Sequence, residues 1–109
     1  TTAEIYALTH FLDSRVSFVY GTHTHIQTND DMIFPGWTSI IWDIWMTGPL
    51  YSIIWANYEL IKNRYLTWMI RWKIEQELNW PALITGVYLE IDDKTKKTIH
   101  IEKFREIIK

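Results

Sequence analysis

Two histidines lie two residues apart in the stretch GTHTHIQTNDD, residues 21–31, which directly follows the apolar run RVSFVY. The chain has only four histidines, so the pairing of His23 with His25 is unusual. In an extended chain residues two apart point the same way, so both imidazoles could meet at one point while Thr22 and Thr24 face the other side. Imidazole is a common ligand of zinc, iron and manganese. The spacing therefore makes His23 and His25 candidate metal ligands.

A pair of histidines is an incomplete metal site, because a catalytic metal normally takes at least three protein ligands. The alternative is an ordinary polar loop, and the spacing alone does not decide between the two. The position of the pair favours a site, since α/β sheets gather ligands at the carboxyl ends of their strands. Gly21 is expected to let the backbone turn sharply there. The other histidines, His10 and His100, are expected to face solvent.

The composition limits the classes of function. With 109 residues and a net charge of −2, the chain is one domain or a piece of one. Its charge gives no reason to expect nucleic acid or an acidic membrane as a partner. It has no cysteine, which excludes disulfides, thiolate metal sites and cysteine nucleophiles. This fits a reducing compartment, and we expect a cytoplasmic protein.

Two segments suggest a ligand or a membrane at first sight, but each has a plainer interpretation. The basic run KTKK at 94–97 follows IDD between two strand-like segments, so a solvated hairpin turn is predicted there. The apolar stretch 37–56 is interrupted by Asp43 and by Gly48-Pro49. Since a membrane span needs about 20 uninterrupted apolar residues, none is predicted.

The hydrophobic pattern predicts the elements that must position the histidine loop. Helices are predicted at 2–13 and 57–67, where apolar residues recur at helical spacing. Strands are predicted at 16–20, 38–46, 70–77, 82–91 and 98–104. The order α-β-β-α-β-β-β implies a layered α/β or α+β sheet with helices on at least one face. The run 16–20 is continuously apolar, which is typical of a strand covered on both faces.

Three blocks of the sequence, GTHTHIQTNDDMIFPG, DIWMTGPLYSIIWAN and GVYLEIDDKTKKTIHIEKF, resemble the YmdB-like family of calcineurin-type metallophosphoesterases. In that family a GTHTHVQTAD motif precedes a strand that ends in a DVGMTGP-like segment. The resemblance covers nearly the whole chain. It implies an α/β fold that is part of a four-layer αββα metallophosphoesterase sandwich, a mixed sheet with flanking helices. It also implies that residues 1–109 are the C-terminal half of a single domain whose N-terminal half is missing.

The resemblance also implies a chemistry. Members of the family hold two metal ions, usually iron or manganese, and a metal-held hydroxide hydrolyses phosphodiesters such as cyclic nucleotides. The motif's two histidines are metal ligands and match His23 and His25. Thr22, Thr24 and Gln27 are candidates for groups that orient those ligands. The family's remaining ligands precede the start of this chain, so the chain alone is expected to be inactive and its catalytic residues are unknown.

The expected partner is a small phosphodiester substrate. Neither a nucleic-acid patch nor a membrane contact is expected, and homo-oligomerisation is left open. Two alternatives to the enzyme remain. One is a non-enzymatic or designed Trp-rich binding or scaffold module, and the other is an α/β domain without an independent role.

Tryptophan is in excess, with seven residues in a chain of 109, and five of them occupy unusual places. Trp68 follows a predicted helix where glycine usually ends it, and Trp37 and Trp80 lie at apparent turns. Trp45 and Trp55 flank MTGP, where the family carries glycine. One hypothesis accounts for all five: their codons are UGA, which some organisms read as glycine and others as tryptophan. The competing explanation is an engineered aromatic surface.

Overall fold

The computed structural model describes residues 1–68 and 75–109. In chain order its elements are α1 (Thr2–Leu12), β1 (Phe18–Tyr20), β2 (Met32–Ile33), β3 (Ser39–Ile41), β4 (Gly48–Pro49), α2 (Tyr58–Thr67), β5 (Ala82–Ile91) and β6 (Thr98–Ile108). Within these residues the chain is a mixed α/β protein with two small sheets and two helices, which confirms the predicted class. Neither helix is long and apolar enough to cross a bilayer.

The two sheets differ in topology. The first has the strand order β1-β3-β2, with β1 parallel to β3 and β2 antiparallel to it. Its register places Phe18 opposite Ser39 and Tyr20 opposite Ile41. The second has the order β4-β5-β6, and β4 pairs antiparallel with the start of β5. Because β1 and β3 are parallel neighbours, their carboxyl ends lie side by side.

The chain forms two compact units. The first comprises Thr1–Trp45 and Thr85–Arg105 and contains α1 and the first sheet. The second comprises Met46–Ile84 and Glu106–Lys109 and contains β4 and α2. The core of the first unit consists of Val19, Phe34 and Ile40, with Ile5, Tyr6, Leu12 and Val16 packed against them. Ile5 and Leu12 of α1 thus pack on the core as the helical spacing predicts, whereas Leu8 on the same helix is 48% exposed.

The predicted order of elements is wrong in detail. Both helices lie within their predicted ranges, β5 has its predicted bounds and β6 extends past 104 to Ile108. The short strands β2 and β4 were not predicted. Residues 70–74 of the predicted strand 70–77 lie outside the described residues, and Gln76 forms only an isolated bridge with Ala56.

Strand β1 is shorter than the predicted strand 16–20. It begins late because Val16 still belongs to the turn after α1, where its N–H donates to the carbonyl of Leu12 at 3.3 Å. The expectation that this strand is covered on both faces is wrong at Tyr20, whose side chain is 54% exposed.

Strand β3 also ends earlier than the predicted strand 38–46. The reason is a competing acceptor, since the N–H of Trp42 donates to both carboxylate oxygens of Asp30 at 3.1 Å. A side chain thereby takes a donor that would otherwise extend the ladder. Beyond Ile41 the chain runs beside the histidine loop and forms hydrogen bonds with it.

The predicted hairpin turn at 94–97 is confirmed. The N–H of Asp92 donates to the carbonyl of Lys97 at 2.9 Å, which closes the turn between β5 and β6. The Asp92 carboxylate accepts the N–H groups of Lys94 and Thr95 at 2.9 and 2.6 Å. An aspartate at the start of a turn commonly makes such bonds to the following backbone.

Tryptophan occupies left-handed backbone at several positions. The φ angle is +89° at Trp37, +79° at Trp55 and +54° at Trp68, a region that glycine adopts without strain. Trp45 and Trp80 are not among the described residues with positive φ. The expectation of a glycine-like conformation is therefore confirmed at three of the five positions. The hypothesis about their codons stays a hypothesis.

Replacing Trp68 by glycine should stabilise the protein. This residue ends α2 with φ 54° and ψ 11°, and its side chain is 88% exposed. We expect the free energy of unfolding to rise by about 1 kcal/mol, because a non-glycine residue in this conformation costs about 1–2 kcal/mol. Urea unfolding followed by circular dichroism measures the change. Trp68→Ala is the control, since it removes the indole but keeps the Cβ; an equal gain in both variants would assign the effect to the indole.

Candidate functional site

The histidine loop leaves β1 at the carboxyl edge of the first sheet. The carbonyl of Gly21 accepts the N–H of Ile44 at 3.0 Å, and the N–H of Thr28 donates to the carbonyl of Asp43 at 3.0 Å. The loop is therefore attached to the segment that follows β3. Gly21 has no positive φ, so a sharp turn is not the reason for glycine here. A Cβ would lie 2.2 Å from the carbonyl oxygen of Trp42, and this close approach requires glycine.

The backbone around the two histidines is not extended. His25 has a φ of +58°, and residues 23–26 belong to no strand. The predicted same-side placement of His23 and His25, which requires an extended chain, is therefore wrong for this loop. His23 is exposed, whereas His25 is half-buried with its ring centroid 5.8 Å from that of Trp45. The Trp45 indole is held in place because its N–H donates to the carbonyl of Thr22 at 3.1 Å.

Thr24 and Gln27, two of the predicted orienting groups, contact the surrounding structure. The Thr24 hydroxyl donates to Oδ2 of Asp43 at 2.7 Å. The Gln27 amide donates to the carbonyl of Gly86 on β5 at 2.8 Å and lies 3.3 Å from the carbonyl oxygen of Ile44. Both side chains therefore fasten the loop to neighbouring segments of the first unit.

Asp43, which interrupts the apolar stretch 37–56, has a structural role that the sequence motifs do not predict. Its relative exposure is 0%. Its Oδ2 accepts the N–H and the hydroxyl of Thr24 at 2.6 and 2.7 Å, and Oδ1 accepts the N–H of Trp45 at 3.2 Å. Burying a carboxylate without such donors would cost several kcal/mol. A single acid in the apolar run that ends a buried strand is the sequence signal that points to such a residue.

Asp30 is a second carboxylate at the same edge of the sheet. It accepts the hydroxyls of Tyr6 and Thr28, each at 2.5 Å, besides the N–H of Trp42. Burial raises the pKa of Asp30, but the hydrogen bonds from Thr28, Tyr6 and Trp42 outweigh it and hold the pKa below its ordinary value. Burial, and then the hydrogen bond to Asp30, raises the pKa of Tyr6 to about 12. Asp30 thus ties the loop to α1.

The other two histidines face solvent, as predicted. His10 on α1 is exposed and its ring lies against Phe34, with 4.8 Å between centroids. His100 on β6 is exposed and its Nε2 lies 3.3 Å from the Glu102 carboxylate. Neither belongs to the loop, so both provide controls for changes within it.

The described residues do not form a complete metal site by themselves. In residues 1–68 and 75–109, no group of three or more His, Cys, Asp and Glu side chains could hold a metal ion. His23 and His25 would thus be a partial set of ligands. Their assignment as ligands stays a prediction.

Comparison with known proteins identifies the relatives of the chain. Residues 1–104 match the sequence model of the family described as YmdB-like protein. The chain is 40% identical over 103 residues to the 2',3'-cyclic-nucleotide 2'-phosphodiesterase of Bacillus subtilis (strain 168), covering 94% of this chain and 38% of that protein. It superposes on a hypothetical protein from Thermus thermophilus with a TM-score of 0.88 and 30% identity, covering 100% of this chain and 42% of the other. It also superposes on a phosphatase from Mycoplasma pneumoniae with a TM-score of 0.87 and 34% identity, covering 98% of this chain and 38% of the other.

The hydrogen bond between Tyr6 and Asp30 predicts a loss of stability at alkaline pH. The pKa of Tyr6 is about 12 in the folded protein against an ordinary 10.0, so the unfolded chain loses this proton first. The stabilisation is complete below pH 10 and is lost as the pH rises from about 10 to 12. Urea unfolding of the parent and of Tyr6→Phe across this range measures it. Their difference in unfolding free energy should shrink above pH 10, and a constant difference would contradict the raised pKa.

Proposed function

Because the chain belongs to the YmdB-like family, we propose that it is part of a metal-dependent phosphodiesterase acting on small phosphodiesters such as cyclic nucleotides. The Bacillus subtilis relative is named for 2',3'-cyclic nucleotides, and we extend that substrate class to the protein that contains this chain. The observation that carries the proposal is the position of the GTHTH loop at the adjoining carboxyl ends of β1 and β3. Ligands of α/β proteins gather at such strand ends.

We also propose that residues 1–109 are the C-terminal half of one metallophosphoesterase domain with a four-layer αββα arrangement. The chain spans 38% of the length of the Bacillus subtilis relative. In addition, large apolar side chains of the first unit are uncovered, with Phe11 on α1 63% exposed and Tyr20 on β1 54% exposed. Exposed apolar surface of this kind marks a contact region, and a further half of the same domain would bury it.

The donor set suits the metal ions that the family implies. His23 and His25 offer imidazole nitrogens on a loop where one ring is exposed and the other half-buried. Imidazole binds iron, manganese and zinc, so these residues would hold part of a two-metal site of iron or manganese. The other ligands would come from outside this chain. When bound, such ions would acidify a water molecule and neutralise charge on the phosphoryl oxygens.

The contribution of this chain to the reaction would be to hold the two imidazoles. Thr24 and Gln27 fasten the loop to its surroundings, and the carbonyl of Thr22 holds the indole of Trp45 beside His25. The side-chain bonds of Thr24 and Gln27 support the proposed orienting role of these two residues, whereas Thr22 contributes its backbone carbonyl. Side chains that orient metal ligands typically affect metal affinity by about 10- to 100-fold.

The alternative of a non-enzymatic or designed Trp-rich binding module is not favoured, because the family match extends over residues 1–104. An independent scaffold would have no reason to retain the GTHTH and MTGP blocks in the family's order. We propose the cytoplasm as the location of the protein, since its sequence contains no cysteine.

The 109-residue chain should bind Zn²⁺ or Mn²⁺ weakly, because two imidazoles leave most coordination positions to water. Isothermal titration calorimetry of the chain with either ion measures the affinity. The double change of His23 and His25 to alanine should abolish binding. Changing the exposed His10 and His100 to alanine is the matched control and should leave it intact. Tight stoichiometric binding that survives loss of the loop histidines would mean that other residues are the ligands.

Phosphodiesterase activity should require the missing half. The chain alone should not hydrolyse bis(p-nitrophenyl) phosphate, whereas a protein completed with an upstream half, and with the five unusual tryptophans changed to glycine, should do so. In that protein His25→Ala should lower the initial rate by at least about 100-fold at saturating metal, because a ligand is lost outright. His100→Ala is the control. Turnover by the unextended chain would show that the site is complete without the missing half, and an unchanged rate in His25→Ala would remove that residue from the site.

A further inference from the structure

The residue between the two loop histidines is bound by a single buried oxygen. Thr24 directs both its backbone N–H and its hydroxyl to Oδ2 of Asp43, at 2.6 and 2.7 Å. The hydroxyl also lies 3.2 Å from the carbonyl oxygen of Ile26. Since a hydroxyl has one proton, the shorter contact to a charged acceptor takes it. The Asp43 carboxylate therefore fixes both the backbone and the side chain of Thr24.

Asp43 also holds the other side of His25. Its backbone N–H donates to the Thr28 hydroxyl at 3.0 Å, and its carbonyl accepts the N–H of Thr28 at 3.0 Å. The loop is thus attached to one residue at position 24 and again at position 28. His25 lies between these two attachments and has left-handed backbone, with φ +58°. Such a conformation in a non-glycine residue persists only where the surroundings impose it.

We propose that Asp43 is the positioning residue of the histidine loop: it acts through Thr24 to set the left-handed conformation of His25 and thereby the geometry of the metal ligands. This inference rests on the proposed role of His23 and His25 as ligands. Asp43 would not contact the metal or the substrate directly. Its effect passes through the backbone of Thr24.

Asp30, the second carboxylate at this edge of the sheet, serves as a comparison for Asp43. Asp30 makes a similar set of bonds, to two hydroxyls and one backbone N–H, but its partners are Tyr6, Thr28 and Trp42. It therefore binds the far side of the loop and not the residue between the histidines. Loss of Asp30 should lower stability without changing the geometry at His25, because Thr28 keeps its two bonds to the backbone of Asp43. Loss of the Asp43 carboxylate should change that geometry.

The test compares Asp43→Asn with Asp30→Asn in the 109-residue chain, using Zn²⁺ alone as the probe. Each substitution removes one charge and keeps the side-chain shape. In Asp43→Asn the dissociation constant for Zn²⁺ should rise about tenfold, the lower end of the effect of groups that orient metal ligands. In Asp30→Asn it should stay within about twofold of the parent, a range too small for a lost orienting group. Urea unfolding confirms that both variants are folded and reports their stabilities.

A second pair of variants keeps the test independent of whether Asp43→Asn folds. Thr24→Val removes the hydroxyl and should weaken Zn²⁺ binding, whereas Thr24→Ser restores the hydroxyl and should restore the affinity. A metal-free measurement accompanies them: the three-bond coupling between the amide and α protons of His25, which reports its φ. This coupling should change in Asp43→Asn and in Thr24→Val and stay unchanged in Asp30→Asn.

The outcomes separate this inference from the proposed function. If binding depends on His23 and His25 but is the same in Asp43→Asn and Thr24→Val, the positioning role is wrong and the ligands stand. The positioning role also fails if Asp30→Asn weakens binding as much as Asp43→Asn, since general loop stability would then be the cause. If Zn²⁺ binding of the parent does not depend on the two histidines, the proposed ligands and the positioning role are both wrong.

Discussion

The burial of the Asp43 carboxylate is the constraint on which the edge of the first sheet depends. A carboxylate with no exposed surface is stable only when donors reach its oxygens. These donors come from Thr24 in the histidine loop and from Trp45 beyond β3. The cost of burying one charge therefore dictates the path of two chain segments. Asp30 acts similarly on the other flank, where it collects Tyr6 from α1.

Features that depend on near neighbours could be predicted from the sequence. Helix α2 begins after Asn57, whose side chain accepts the N–H groups of Glu59 and Leu60, and such a cap is visible in the sequence. The turn led by Asp92 is equally local. Strands β2 and β4 have no local signal, because each has two residues and exists only where another strand offers an edge. The bond between Thr24 and Asp43 joins residues 19 apart, which no periodicity encodes.

The sequence selects candidate residues for the site, but it does not predict the geometry of the loop that carries them. Period-two spacing and family resemblance both selected His23 and His25. Period-two spacing brings two side chains to one side only in an extended chain, but tertiary hydrogen bonds bend this loop and His25 has a φ of +58°. Position on the sheet was the more reliable guide, because the loop does follow a strand with a parallel neighbour. The sheet topology decides where two parallel strands end, so the loop that follows them can be irregular and still lie at that edge.

The backbone conformations of the tryptophans and glycines are the reverse of what the two residue types favour, since tryptophan occupies left-handed backbone and glycine does not. Seven non-glycine residues have positive φ in the part that the structure describes, and three are tryptophan, which contributes only 7 of 109 residues. No glycine has positive φ. Trp37 and Trp55 are also half-buried, so they contribute little to an aromatic surface of the kind an engineer would build. Glycine at these positions would remove the backbone strain, which favours the codon hypothesis over design. The same exchange at Trp45 would remove the ring whose centroid lies 5.8 Å from that of His25.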